Sequence, residues 1–133
     1  KVINILSNKG IKLNITAVYT VNQVRKILKE INKKSKTIIS IFSGRMSDVG
    51  KDPIPIIKKS VRLAKKNKNT EILWASTREA YNYLQAKECG CSIITMPPAI
   101  IGKISKFGKT YQELTLDTVK KFLIDSKDSN FKI

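Results

Sequence analysis

Two of the chain's four arginines, Arg45 and Arg78, stand just beyond short apolar, β-prone runs. Gly44 precedes Arg45, and Ser76 lies two residues before Arg78. A guanidinium is a planar fork of donors, so it holds a phosphate or carboxylate more rigidly than an ammonium does. Ser76-Thr77-Arg78-Glu79 has the Ser-x-x-Glu spacing of a capping box. Arg78 is therefore expected in the first turn of a helix, where free N–H groups and the helix dipole favour an anion. Two guanidiniums and a helix N-terminus would make a phosphate cradle. The competing use is structural, with each arginine paired to Asp48, Asp52 or Glu79.

Three polar residues interrupt the apolar runs themselves. Asn14 and Thr16 share a face at period two, as do Ser40 and Phe42. Unpaired burial of such groups costs on the order of 1–3 kcal/mol each, so they must bond to one another or to a ligand. Trp74 is expected to pack in a sheet, and Asp48 to cap a loop.

The elements that must position these residues alternate. Residues 1–10 read as a helix ending at Gly10, without an N-cap or an initiating Met, so the chain is expected to begin at a cut. Strands are expected over 12–19, 37–42, 71–76 and 91–95. Helices are expected over 21–31, from Pro53 through Ala64, from Ser76 to about Glu88, and as a short segment carrying Ile100, Ile101 and Ile104. Residues 43–52 read as a loop, 116–123 as a last helix, and the polar tail as frayed. Strands recur every roughly 20 to 34 residues, the rhythm of βα units in a parallel α/β sheet. A doubly wound sheet and part of an eight-fold barrel both fit. No strand is followed by Gly-x-Gly-x-x-Gly, which lowers the dinucleotide-binding version of the first. In either fold the working end lies at the strands' C-terminal ends. There stand Asn14, Thr16, Tyr19, Ser40, Phe42, Arg45, Ser76, Arg78, Thr95, Met96 and Pro97.

Composition narrows the classes. The chain has 133 residues, 41% hydrophobic and 27% charged, an ordinary globular balance for one modest domain. No apolar run approaches the roughly 20 residues needed to cross a bilayer, and no secretory leader is visible. The absence of histidine excludes imidazole-based metal sites and Ser-His or Cys-His nucleophiles. Cys89 and Cys91 read as free thiols in a reducing cytoplasm. The net charge of +16 rests mainly on lysine, scattered on the polar sides of helical patterns. Solvated lysine faces are preferred to a nucleic-acid surface, which would interleave arginines with aromatics.

Four motifs carry a family resemblance: Gly-Ile-Lys-Leu-Asn-Ile-Thr-Ala-Val-Tyr (10–19), Ser-Ile-Phe-Ser-Gly-Arg-Met-Ser-Asp (40–48), Trp-Ala-Ser-Thr-Arg (74–78) and Ile-Ile-Thr-Met-Pro-Pro (93–98). In this order and spacing the chain resembles the transaldolase family, including its fructose-6-phosphate aldolase branch. The resemblance implies strands five to eight, the C-terminal half, of a TIM (βα)8 barrel, so residues 1–133 would be one partial domain. It implies a cytoplasmic, cofactor-free transferase of the pentose phosphate pathway. Such an enzyme moves a dihydroxyacetone unit between sugar phosphates through a lysine Schiff base. Carried over by residue, Arg45 and Arg78 would bind phosphate with help from Ser76, and Asn14, Ser40 and Phe42 would line the substrate pocket. Thr16 would position the catalytic water.

The family's Schiff-base lysine, acid/base aspartate and glutamate would fall upstream of Lys1, so the chain alone is expected to be inactive. A half-barrel leaves two sheet edges bare, so homo-oligomerisation is expected. The expected partner is a sugar phosphate, with neither nucleic acid nor membrane. The alternatives are a non-catalytic half-barrel that holds sugar phosphates or other anions and, further off, a basic nucleic-acid-binding domain.

Overall fold

The computed structural model describes residues 1–129. By internal contacts the chain divides into two compact units, Lys1–Ile101 and a second from Gly102 onward.

Unit one holds a four-stranded, all-parallel sheet in the order β1-β2-β3-β4, so chain order and spatial order coincide. The strands are β1 (Leu13–Val18), β2 (Thr37–Ile41), β3 (Thr70–Trp74) and β4 (Ile93–Ile94). The register places Leu13 beside Thr37 and Thr37 beside Thr70, then Ser40 beside Leu73 and Leu73 beside Ile93. β1, β2 and β4 lie within the runs expected from the sequence, with β4 shortened to two residues, and β3 begins one residue before its expected run.

The helices of this unit are α1 (Val2–Asn8), α2 (Val21–Glu30), α3 (Ser43–Ser47), α4 (Ile54–Ala64) and α5 (Asn82–Cys89), with α6 (Pro98–Ile104) beginning within it. Helix α2 starts where the Thr20 hydroxyl accepts from the Gln23 N–H while the Gln23 side chain accepts from the Thr20 N–H. Its Val24 and Ile27, with Ile31 just beyond, meet Ile57, Val61 and Ala64 of α4 and Ala86 and Cys89 of α5 in one core. That core packs on the sheet face bearing Ile39, Ile41, Ile72 and Trp74, all at most 2% exposed. Alternation along the strands turns Asn14, Ser40 and Leu73 to the opposite face. Gly90 ends α5 at φ +78°, a left-handed cap that a side chain would strain.

Three expectations need correction. Residues 43–52 are not wholly loop. Phe42 and Gly44 carbonyls accept from the Met46 and Asp48 N–H groups, closing the short helix α3. Five residues hold too little periodicity for a pattern to reveal.

The helix expected from Ser76 begins only at Asn82. Ser76 has φ +63°, which is incompatible with the extended backbone of an N-cap. The Asn82 side-chain oxygen instead accepts from the Arg78 N–H at 3.0 Å and the Glu79 N–H at 3.3 Å. Arg78 therefore lies in the connection before α5, not in a helical first turn.

The polar tail is helical through Asp128, because α7 runs Tyr111–Asp128. The remainder of that tail, 130–133, lies outside the described residues. In unit two α7 opens with a Thr110–Glu113 capping box and carries a Lys109–Asp117 ion pair. Leu116, Val119, Phe122 and Leu123 on this helix are exposed. Among the described residues no helix is long and apolar enough to cross a membrane.

Candidate functional site

At the C-terminal end of the sheet the chain departs from regular geometry twice. Between Ile15 and Val18 the β1–β2 register gains one residue, a β-bulge, with Ala17 at φ +57°. After β3, Ser76 adopts its left-handed conformation. Non-glycine residues in that region are uncommon and cost on the order of 1 kcal/mol or more. Both outliers lie beside expected site residues.

Asn14, Thr16, Ser40, Phe42 and Ser76 line one hollow of about 300 Å³, together with Leu73, Ala75 and Thr95. Within it the Ser40 hydroxyl donates to Asn14 Oδ1 at 2.7 Å. These two groups thus satisfy each other across β1 and β2, the mutual bonding left open by the sequence. Asn14 and Thr16 remain exposed, so both can still meet a ligand. Phe42 packs edge-on against Tyr19, ring centroids 5.9 Å apart.

A second hollow, of about 280 Å³, adjoins the first through Ser76 and Thr95 and is walled by Thr77, Arg78, Met96 and Pro97. The Thr77 hydroxyl donates to the Thr95 carbonyl at 2.6 Å and ties the end of β3 to the end of β4. Arg45 lines neither hollow. Its guanidinium carbon lies 5.7 Å from the ring centroid of Phe42, which does line the first.

The two arginines are related through Asp48. Arg78 approaches this carboxylate side-on: Nε donates at 2.9 and 3.1 Å to its two oxygens and Nη2 at 2.6 Å to Oδ2. That pair holds the Asp48 carboxyl below its usual range, chiefly through the hydrogen bonds from Arg78, which together with the lesser charge effects of Arg78 and Arg45 outweigh the opposing desolvation. The same bonds raise Arg78. The structural use foreseen for Arg78 is therefore present, and Asp48 ties two rim loops together where the sequence suggested a loop cap. Side-on pairing through Nε and Nη2 leaves the Nη1 hydrogens outside the pair. Both partners are about half exposed, 47% each by side chain, so solvent and ligands reach them.

Gly44 brings the rim loops together. Its N–H donates to the Ala75 carbonyl at 3.4 Å, and a Cβ there would collide with the Ser76 carbonyl and press on the Arg78 side chain. The sequence reading noted Gly44 only as a small neighbour of Arg45. Its close approach to another strand's loop left no local signal, and neither did the backbone-holding role of Asn82.

Among the described residues no three His, Cys, Asp or Glu side chains converge as a metal site would require. Cys89 is buried and Cys91 half-buried, both as free thiols. Burial pushes the Cys91 thiol up to about 12 and raises Cys89 as well.

This arrangement can hold a polar, anionic ligand. Hydroxyl and amide groups line the floor, and two guanidiniums stand at the rim. Comparison with known proteins adds its identity. The family model described as Transaldolase/Fructose-6-phosphate aldolase matches residues 1–133. A protein of Thermoanaerobacter sp. (strain X514) named "Probable transaldolase" is 31% identical over 134 residues, covering 100% of this chain and 58% of that protein. Proteins of the same name from Herpetosiphon aurantiacus and Methanococcus maripaludis (strain C5) are each 31% identical over 126 residues. These alignments cover 94% of this chain and 53% and 54% of the relatives. The chain thus spans about half the length of the curated relatives it matches. The chain belongs to the transaldolase/fructose-6-phosphate aldolase family.

Proposed function

We propose that residues 1–133 supply the phosphate grip and half of the substrate pocket of a transaldolase, as strands five to eight of a (βα)8 barrel. Two features of the sheet support the barrel over a doubly wound fold. Strand order follows chain order with no reversal, and α2, α4 and α5 share one core on a single face. In a closed barrel the opposite face, with Asn14, Ser40 and Leu73, would look inward.

The observation that carries the functional reading is that Arg78, in the connection after β3, pairs side-on with Asp48, three positions beyond Arg45 in the segment after β2, so that two tied rim segments each carry an arginine. A sugar phosphate would enter with its phosphate at this rim. Arg78 would offer Nη1 while Asp48 fixes the plane of its guanidinium. Arg45, held over Phe42, would approach from the neighbouring loop, and the Ser76 hydroxyl would complete the set. The sugar hydroxyls would then lie along the floor, against Asn14 and Ser40. Thr16, re-aimed by the bulge, would position water.

The reaction is the transfer of a dihydroxyacetone unit between sugar phosphates of the pentose phosphate pathway, in the cytoplasm, through a lysine Schiff base outside these residues. Homo-oligomerisation forms part of the same reading. The exposed apolar residues of α7 are the support within this chain.

The test is borohydride trapping on the whole gene product with fructose 6-phosphate, followed by peptide mapping. An adduct on a lysine outside residues 1–133 is expected. An adduct within them contradicts the proposed division of labour. No adduct at all, with fructose 6-phosphate still bound, would favour the non-catalytic binding module.

A further inference from the structure

The opposite end of the sheet holds a further hollow that the proposed reaction does not use. It lies at the N-terminal ends of β2 and β3, has a volume of about 420 Å³, and is lined by Lys36, Lys65, Lys68, Asn67, Asn69, Thr70, Glu71 and Ser92. Volumes of roughly 300–1,000 Å³ are usual for small-molecule sites. Three lysines and one glutamate stand in the lining, which therefore carries a net charge of two positives.

Two buried polar groups in this wall have no partner among the described residues. They are Asn67 Nδ2 and Thr70 Oγ1, on residues 9% and 7% exposed. The Asn67 amide is not free to swap ends, because its Oδ1 accepts from the Asn69 N–H at 3.2 Å. Its NH2 is left as an unused donor. Buried donors of this kind are rarely left unmade, since each loses the full desolvation penalty. Nearby backbone donors are already engaged: Asn67 N–H on the Ala64 carbonyl, Thr70 N–H on the Asn67 carbonyl and Ser92 N–H on the Ile72 carbonyl.

Lysine just past a helix C-terminus complements the helix dipole, which accounts for Lys65 and Lys68 after α4. It does not account for Lys36, which enters from the turn before β2. The lining thus combines an amide and a hydroxyl without partners and three exposed lysines, with a net charge that matches a phosphate dianion.

We propose that this hollow binds a phosphate-bearing small molecule, a phosphomonoester or short polyphosphate, at the end of the sheet remote from the Arg45–Arg78 rim. Lys36, Lys65 and Lys68 would neutralise the phosphate, and Asn67 Nδ2 and the Thr70 hydroxyl would donate to it. The site is independent of the transaldolase reading, because none of its residues lines the rim hollows.

The test is calorimetric titration of the whole gene product with inorganic pyrophosphate at physiological salt. Saturable binding is expected. It should weaken on the order of tenfold or more in the exposed double variant Lys65→Gln/Lys68→Gln and in Asn67→Ala. Arg45→Ala/Arg78→Ala should leave this pyrophosphate site intact. Failure to bind pyrophosphate at millimolar concentration overturns the proposal, as does binding that ignores Lys65→Gln/Lys68→Gln or vanishes with the two arginines. Tight, steeply salt-dependent binding of oligonucleotides through the same lysines, without pyrophosphate binding, also overturns it and assigns the surface to nucleic acid.

Discussion

Gly44 stands so close to Ser76 that a single added Cβ would fall on the Ser76 carbonyl oxygen. The atom in the way is backbone, in a loop tied to β4 through Thr77 and Thr95, so it cannot yield by rotating a side chain. Gly44→Ala is expected to destabilise the protein by about 1–3 kcal/mol or more, as overpacking does. A fall in the urea midpoint without a change in slope would register it. The same change should weaken fructose 6-phosphate binding, because it parts the loops that carry Arg45 and Arg78.

The bulge at Ala17 makes the opposite prediction. Glycine within a regular strand costs roughly 0.5–1 kcal/mol relative to alanine. At φ +57° alanine already bears the strain that glycine would relieve. Ala17→Gly is therefore expected to be neutral or mildly stabilising in urea denaturation. A loss near 1 kcal/mol would mean that the bulge is not in this conformation.

Asp48 should report both arginines by titration. Its carboxyl lies below the ordinary value of 3.8 in the folded protein. A depressed folded value means that the ion pair's contribution is present above about pH 4 and lost as pH falls through the folded midpoint. Carbon-13 NMR of the Asp48 carboxyl is expected to show that low midpoint. Arg78→Ala should raise it most, and Arg45→Ala should raise it less, since Arg45 acts only through space. An unchanged midpoint in Arg78→Ala would show that the side-on pair does not persist in solution.

The two cysteines should be slow to react. Thiolate is the reactive form, and burial raises both thiols, Cys91 to about 12. In Ellman's assay at pH 8 the native protein is expected to resist modification, and both thiols should react in urea. Prompt native reaction would contradict the packing of β4 beside α5.

Much of the fold was legible because buried parallel strands and amphipathic helices write their period into the sequence. Residues 37–42 and 21–31 did so plainly. Capping spacing was a weaker guide. Thr20-x-x-Gln23 and Thr110-x-x-Glu113 form capping boxes, whereas Ser76-x-x-Glu79 does not. The difference is the left-handed backbone at Ser76, which tertiary contact imposes and no spacing records. That Asn14, Thr16, Ser40, Phe42 and Ser76 would gather around one hollow was legible, because parallel strands bring their C-terminal ends together. The Asp48–Arg78 pair was foreseen only as one of several options. Its partners lie 30 residues apart, and only the folded sheet selects among the available carboxylates.

The central claim is that Arg45 and Arg78 grip one phosphate. Fructose 6-phosphate affinity of the whole gene product, measured by calorimetry for wild type, Arg45→Ala and Arg78→Ala, tests it directly. Each substitution is expected to weaken binding on the order of 10- to 100-fold, the usual worth of a charge-assisted hydrogen bond. Affinity for dihydroxyacetone, which has no phosphate, should stay unchanged. Unaltered fructose 6-phosphate affinity in both variants would contradict the account.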